Sequence, residues 1–165
     1  MPRNRPTASP ADPPGFELPL RLFAAFRGIV DELHAELARQ GHPDVRPMHG
    51  FVFQAIGPHG TTAADLGRTL GVSKQAAGKT VGTLEGLGYV AVSPDPHDAR
   101  RRIVRLTPRG VDCLARSARI FETIRARWAR QLGPARLRAL DADLRLMTAD
   151  DFFRLDTPGW FGGAA

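Results

Sequence analysis

Thr61–Val90, "TTAADLGRTLGVSKQAAGKTVGTLEGLGYV", holds two short helical patterns in immediate succession. In the first, Thr62 and Asp65 stand three apart, the spacing of an N-cap hydroxyl and a capping acid, and Leu66 and Leu70 follow at inward-facing positions. Gly71 ends that helix. Only Gly71 and Val72 come before Ser73, the N-cap residue of a second helix that runs to Gly88. Two helices joined by so tight a glycine turn predict a helix-turn-helix.

The second helix carries interior glycines at Gly78, Gly82 and Gly86, each costing about 0.5–1 kcal/mol relative to alanine. A period of 3.6 residues puts Ala77, Val81, Leu84 and Leu87 on a core-facing stripe with Thr80 beside them. Gln75 and the three glycines fall opposite, flanked by Lys74 and Lys79. A helix that meets only water is better served there by Ala, Glu or Lys. The face therefore reads as one against which a partner lies, missing side chains letting the backbone approach; a marginal helix in a glycine-rich chain is the alternative.

Outward from this unit, "YVAVS" predicts a strand, "PDPHDA" a turn and "RRRIVRL" a return strand, together a two-stranded wing. Residues 1–15, rich in proline and small polar residues, predict a disordered arm bearing Arg3 and Arg5. From Phe16 to about Gln40, Leu22, Phe23, Phe26, Val30, Leu33 and Leu37 recur at helical spacing, and "PMHGFVFQAI" is a shorter second helix; both read as mostly buried. Thr107 and Pro108 open a long helix towards Leu132, with Val111, Leu114, Ala118, Phe121, Ile124 or Arg125, and Trp128 along one seam. After Gly133-Pro134 a last helix follows through Leu137, Leu140, Leu144, Met147 and Phe153, and residues 158–165 form a tail. These seams exceed what one small winged unit covers, which predicts burial against a second copy of the chain.

With 165 residues, 42% hydrophobic and 24% charged, the chain fits one globular core with helical extensions. A net charge of +6 makes nucleic acid the first partner to test. The excess is local: between Thr61 and Gly110 eight basic residues face four acidic ones, and Lys74 and Lys79 are the only lysines in the chain. A single cysteine, Cys113, suits a reducing compartment; it could sense oxidants, although a lone thiol without visible activation is more often inert. There is no apolar run of membrane-spanning length and no signal-peptide pattern, so the expectation is a cytoplasmic protein without membrane contact. Neither a phosphate-cradling loop, a nucleophile elbow nor a metal-hydrolase motif is present, and His34, His42, His49, His59 and His97 do not fall at compact ligand spacing. Catalytic residues, metal and cofactor are accordingly expected to be absent, and the chain is not expected to be an enzyme.

Thr61–Gly110 resembles the winged helix-turn-helix of the MarR family of bacterial transcription regulators, through Leu66, Leu70, Ser73, Leu84, Gly88, Asp98, Arg100, Leu106, Thr107 and Gly110. The family often has a further Arg where this chain has Ala99. The resemblance implies a mainly α fold with a small β wing, a winged helix-turn-helix over residues 57–107, and a helical dimerisation region over 16–56 and 108–157. It implies a homodimer on double-stranded DNA, reading a pseudo-palindromic site, with a repressor that responds to a ligand as the expected type. Ser73, Lys74, Gln75, Gly78, Lys79 and Gly82 would meet the major groove. Arg100 would enter the minor groove with Asp98 bracing its guanidinium, and Arg101 and Arg102 would meet phosphates or stay solvated on the strand rather than read bases. Phe26, His49 and Phe53 would line a cleft for a small aromatic effector. The alternative is a winged-helix protein-interaction module without sequence-specific DNA binding.

Overall fold

The computed structural model describes residues 13–148. Eight elements follow in order: α1 (Glu17–Arg39), α2 (Pro47–Ile56), α3 (Ala63–Leu70), α4 (Lys74–Gly86), β1 (Val90–Asp95), β2 (Asp98–Leu106), α5 (Pro108–Leu132) and α6 (Pro134–Met147). The class is mainly helical with one two-stranded antiparallel sheet. Residues 1–12, with Arg3 and Arg5, and residues 149–165, with Phe153, lie outside the described residues.

The helix ends obey local chemistry. The Thr62 hydroxyl accepts the Asp65 amide at 3.1 Å, the Ser73 hydroxyl accepts that of Ala76 at 3.1 Å, and Thr107 accepts that of Gly110 at 3.2 Å. Gly71 closes α3 in the left-handed region, φ 68°. A close approach the sequence did not signal lies one turn earlier. A Cβ on Gly67 would sit 2.9 Å from the Val72 carbonyl oxygen, so the turn folds back over α3 only because that side chain is missing.

The core joins both halves of the chain. Leu33 and Leu37 of α1, Val52, Phe53 and Ile56 of α2, Leu66 and Leu70 of α3, Val81 and Leu84 of α4, and Cys113, Ile120 and Ile124 of α5 form one buried cluster. Tyr89, fully buried before β1, is its pivot: its ring lies 5.5 Å from that of Phe53 and 5.6 Å from that of His42, and the Arg109 guanidinium covers it at 4.6 Å. The Tyr89 hydroxyl hydrogen-bonds His42 Nδ1 at 3.1 Å, His42 Nε2 meets Asp112 at 3.0 Å, and Arg116 bonds both Asp112 and Gln40. This chain of bonds ties the α1–α2 loop, the root of the wing and α5 together.

Two expectations require correction. The wing strands are longer than read, because the backbone pairing runs on through Pro94 and Asp95 and restarts at Asp98, leaving a turn of only Pro96 and His97. The N-terminal half of α1 is not buried: Leu18 and Leu20 are each 60% exposed and Leu22 and Phe26 are exposed as well. On α5 the side facing the core is that of Cys113, Ile120 and Ile124, and Val111, Ala118 and Phe121 of the seam expected to pack on a second copy are exposed in the single chain. On α1 the periodicity was right and the packing partner was not, since an apolar stripe does not say which surface covers it.

Candidate nucleic-acid interface

Helix α4 buries Ala77, Val81 and Leu84 and half-buries Leu87 and Thr80, so its inward stripe falls where the period put it. The opposite face is open. A Cβ placed on Gly78, Gly82 or Gly86 would meet no atom within 4 Å, so these glycines serve no packing contact among the described residues. The hydroxyls of Thr80 and Thr83 turn back to the carbonyls of Ala76 and Lys79, each at 3.1 Å. Glu85 is drawn off the face as well: its Oε1 accepts the Val92 amide at 3.1 Å and pins the end of α4 to the wing. What remains on the open side is Ser73, Lys74, Gln75, Lys79 and bare backbone. Ser73 oxygen is occupied as a cap, but its hydroxyl hydrogen is left to donate to a phosphate.

The wing is held against α3 from below. Thr61 exchanges two backbone bonds with Val104, at 3.0 and 2.7 Å, adding a third short rung beside the hairpin. At the tip the register jumps from Pro94↔Arg102 to Asp95↔Asp98, which pushes residues 99–101 out of the ladder as a bulge with Arg100 at its centre. Asp98 does not brace the Arg100 guanidinium. Its carboxylate accepts the Arg100 backbone amide at 3.0 Å and so shapes the tip rather than the side chain.

The charges sort into two sets. Arg68 pairs with Asp65, and Arg101 lies 3.9 Å from both Asp65 and Asp95. The Thr62 hydroxyl, with Arg68 and Arg101 beside it, holds the Asp65 carboxyl below the usual carboxylate range. Arg105 donates to Ser93 at 3.2 Å, Arg102 reaches the Val92 carbonyl at 3.5 Å, and Arg109 is committed to Tyr89 and Gly41. Lys74, Lys79 and Arg100 are left. All three are exposed, and their cationic groups have no protein partner among the described residues. A bidentate or phosphate contact therefore breaks no existing pair at these positions, whereas Arg101 would have to leave two acids.

The residues expected around an effector do not come together. Phe26 lines a cavity of about 110 Å³ between α1, α2 and α5, but Phe53 is buried in the core against Tyr89. His49 caps α2, its Nδ1 accepting the Arg46 amide at 3.1 Å. The cavity wall is completed instead by His34 and Phe51, with Leu114 and Phe121 from α5. Sequence periodicity marks His34 as one turn from Val30 on α1, but not as facing a void. Cys113 is buried, its thiol pushed up to about 11 by that burial, which removes the thiolate an oxidant sensor needs. Among the described residues no three metal-ligating side chains gather, and no helix is long and apolar enough to cross a membrane.

Residues 44–101 match the model of the MarR family. No curated protein matches the chain. Among solved structures, FabT of Streptococcus pneumoniae in complex with DNA is similar in fold, with a TM-score of 0.68 at 16% identity over 80% of this chain and 93% of that one. The transcriptional regulator Tm0710 of Thermotoga maritima is 25% identical, with a TM-score of 0.56 over 80% of this chain and 91% of its own. RV1404 of Mycobacterium tuberculosis is also 25% identical, with a TM-score of 0.63 over 83% and 96%.

Proposed function

We propose that this chain, whose residues 44–101 match the MarR family model, is a transcriptional regulator of that family that binds duplex DNA as a homodimer. The observation that carries the reading is the set of three unpartnered cations, Lys74 and Lys79 on α4 and Arg100 at the wing tip, around a helix face stripped of side chains. Helix α4 lies in the major groove, where Gln75 pairs with adenine and the lysines meet phosphates or guanine edges. The bulged wing carries Arg100 to the adjacent minor groove, where narrow A·T-rich stretches concentrate negative potential. Similar proteins have been solved on DNA, FabT among them and the repressor CouR on a 23-mer duplex.

The division of labour belongs to the same proposal: residues 57–107 read DNA, and 16–56 with 108–157 hold two copies together. Two copies place their α4 helices in successive major grooves, about 34–36 Å apart. The regulator is a repressor whose effector, bound among α1, α2 and α5, favours a spacing that mismatches those grooves and releases the operator. Gel shifts on the DNA upstream of the gene, repeated across salt concentrations, test the reading. A specific complex whose affinity falls steeply with salt is expected. Equal, weak retardation of every duplex, or none, returns the winged helix to a protein-interaction role.

A further inference from the structure

Of the 23 lysines and arginines in the chain only two are lysines, and both, Lys74 and Lys79, stand exposed on α4. Charge alone does not account for that choice. A guanidinium meets phosphate at least as well as an ammonium, through a planar fork of donors, and arginine serves wherever else this chain carries a basic side chain of fixed charge. What only lysine brings is a primary amine, which becomes a nucleophile on losing its proton, whereas a guanidinium in a protein keeps its own.

The surroundings of the two amines differ from those of the helical arginines. Arg21, Arg39, Arg68, Arg116 and Arg145 each meet a carboxylate three or four positions away on the same helix. Such a neighbour favours the charged form of the base and repels anions. No acid stands three or four positions from Lys74 or Lys79; on the C-terminal side those positions hold Ala77 and Gly78, and Gly82 and Thr83. Glu85, the one acid of α4, is held by the Val92 amide at 3.1 Å. A Cβ on Gly78 or Gly82 would meet no atom within 4 Å, so a reagent reaches either amine over bare backbone. The one thiol of the chain, Cys113, is buried and does not compete.

We propose that Lys74 and Lys79 are acylation sites, modified by a small acyl phosphate, and that the modification switches off DNA binding. The inference rests on the reading of α4 as the DNA-contacting face and assigns a regulation to it. The anionic donor is drawn by the same unpartnered cations that meet DNA phosphate, Arg100 among them. The deprotonated Nζ attacks the acyl carbon, the bond from that carbon to the phosphate oxygen breaks, and inorganic phosphate leaves with the electron pair and takes up the proton shed by the new amide. The product is neutral. Acylation of both lysines removes two of the three free cations of each protomer, and with them the release of counterions from the DNA they would have neutralised.

Acetyl phosphate is the probe. The full-length protein is treated with it near neutral pH, with and without a duplex from upstream of the gene, and the modified positions are mapped by peptide mass spectrometry. Acetyl groups should appear at Lys74 and Lys79 in the free protein and be suppressed by the bound duplex. Gel shifts on the treated protein should show affinity lower by at least about tenfold and a salt slope shallower by about one for each lysine that meets a phosphate, with helical content and melting temperature unchanged. Lys74→Arg/Lys79→Arg keeps both charges but no side-chain amine; whatever its own affinity, treatment should not alter it. That variant also separates lysine chemistry from acylation of the N-terminal amine. Lysines left unmodified by acetyl phosphate, complete acetylation with unchanged affinity, or an equal loss in the arginine variant overturns the proposal. An untreated protein that retards no duplex specifically overturns the DNA-binding reading instead; acetylation mapped to Lys74 and Lys79 then upholds the sites, while their role in DNA binding falls with that reading.

Discussion

At Gly67 and Gly82 one residue type answers opposite demands. A methyl group on Gly82 enters open space, so Gly82→Ala should stabilise the fold by about 0.5–1 kcal/mol through helix propensity alone. On Gly67 the same methyl would meet the Val72 carbonyl oxygen at 2.9 Å, and backbone cannot swing aside as a side chain can. Gly67→Ala should destabilise by about 1–3 kcal/mol as overpacking outweighs propensity. Urea denaturation at unchanged slope reads both; equal midpoints would show a turn looser than described. Histidine sets a second residue-scale expectation. Burial holds His34 and His49 below the ordinary value of 6.5, so both are neutral in the folded chain near pH 7. Below 6.5 the unfolded chain takes up protons that the folded chain refuses, so stability falls as pH drops from there towards the folded values. The melting temperature should decline between about pH 7 and about pH 5, and less so in His34→Phe/His49→Asn, where Asn retains an acceptor for the Arg46 amide. An unaltered slope in the double variant would assign the pH dependence elsewhere.

Helix α4 and the wing are the elements on which the proposed DNA contact turns. Gly82→Leu keeps good helix propensity but fills the bare face, so operator affinity should drop sharply while the melting temperature holds or rises. Both quantities belong on one preparation at one salt concentration, because phosphate contacts vary steeply with salt. Operator binding as tight as the parent's would take the glycine face out of the groove. Arg100→Ala should weaken the complex by about 1–3 kcal/mol and relax preference at flanking A·T positions if Arg100 reads base edges. A uniform loss over all sequences, with a shallower salt slope, would instead assign it to phosphate; no change would return the wing to an ordinary surface hairpin. The inward stripe of α4 and the caps at Thr62, Ser73 and Thr107 were legible in the sequence because they depend on residues at most four apart. The bulge at residues 99–101 was not, because register is a property of two strands.

Over the whole molecule, the apolar stripe of α1 splits in two: Leu33 and Leu37 enter the core, while Leu18, Leu20 and Leu22 face outward with Leu146 and Met147 of α6. Exposed apolar surface on this scale is the feature that supports the proposed homodimer. Leu18→Glu with Leu22→Glu places two charges one turn apart on that surface. Sedimentation should then show a monomer of unchanged helical content whose operator affinity falls to that of a single half-site. A dimer that survives both charges would move the interface elsewhere.

The sequence by itself determined the helix-turn-helix, the presence of a wing, the inward face of α4 and the concentration of basic charge around it. Each of these follows from spacing, capping and turn chemistry within a few residues, where local propensity and periodicity dominate. Tertiary structure alone decided which cations are free and which are paired, because Arg101 meets Asp65 across 36 positions of sequence and Arg109 meets Tyr89 only once the wing has closed on α5. It also placed Phe53 and His49 in the core and cap, and His34 in the cavity wall. Helical period assigns a face to each of these side chains, but only the packing of three helices decides whether that face meets another side chain or a void.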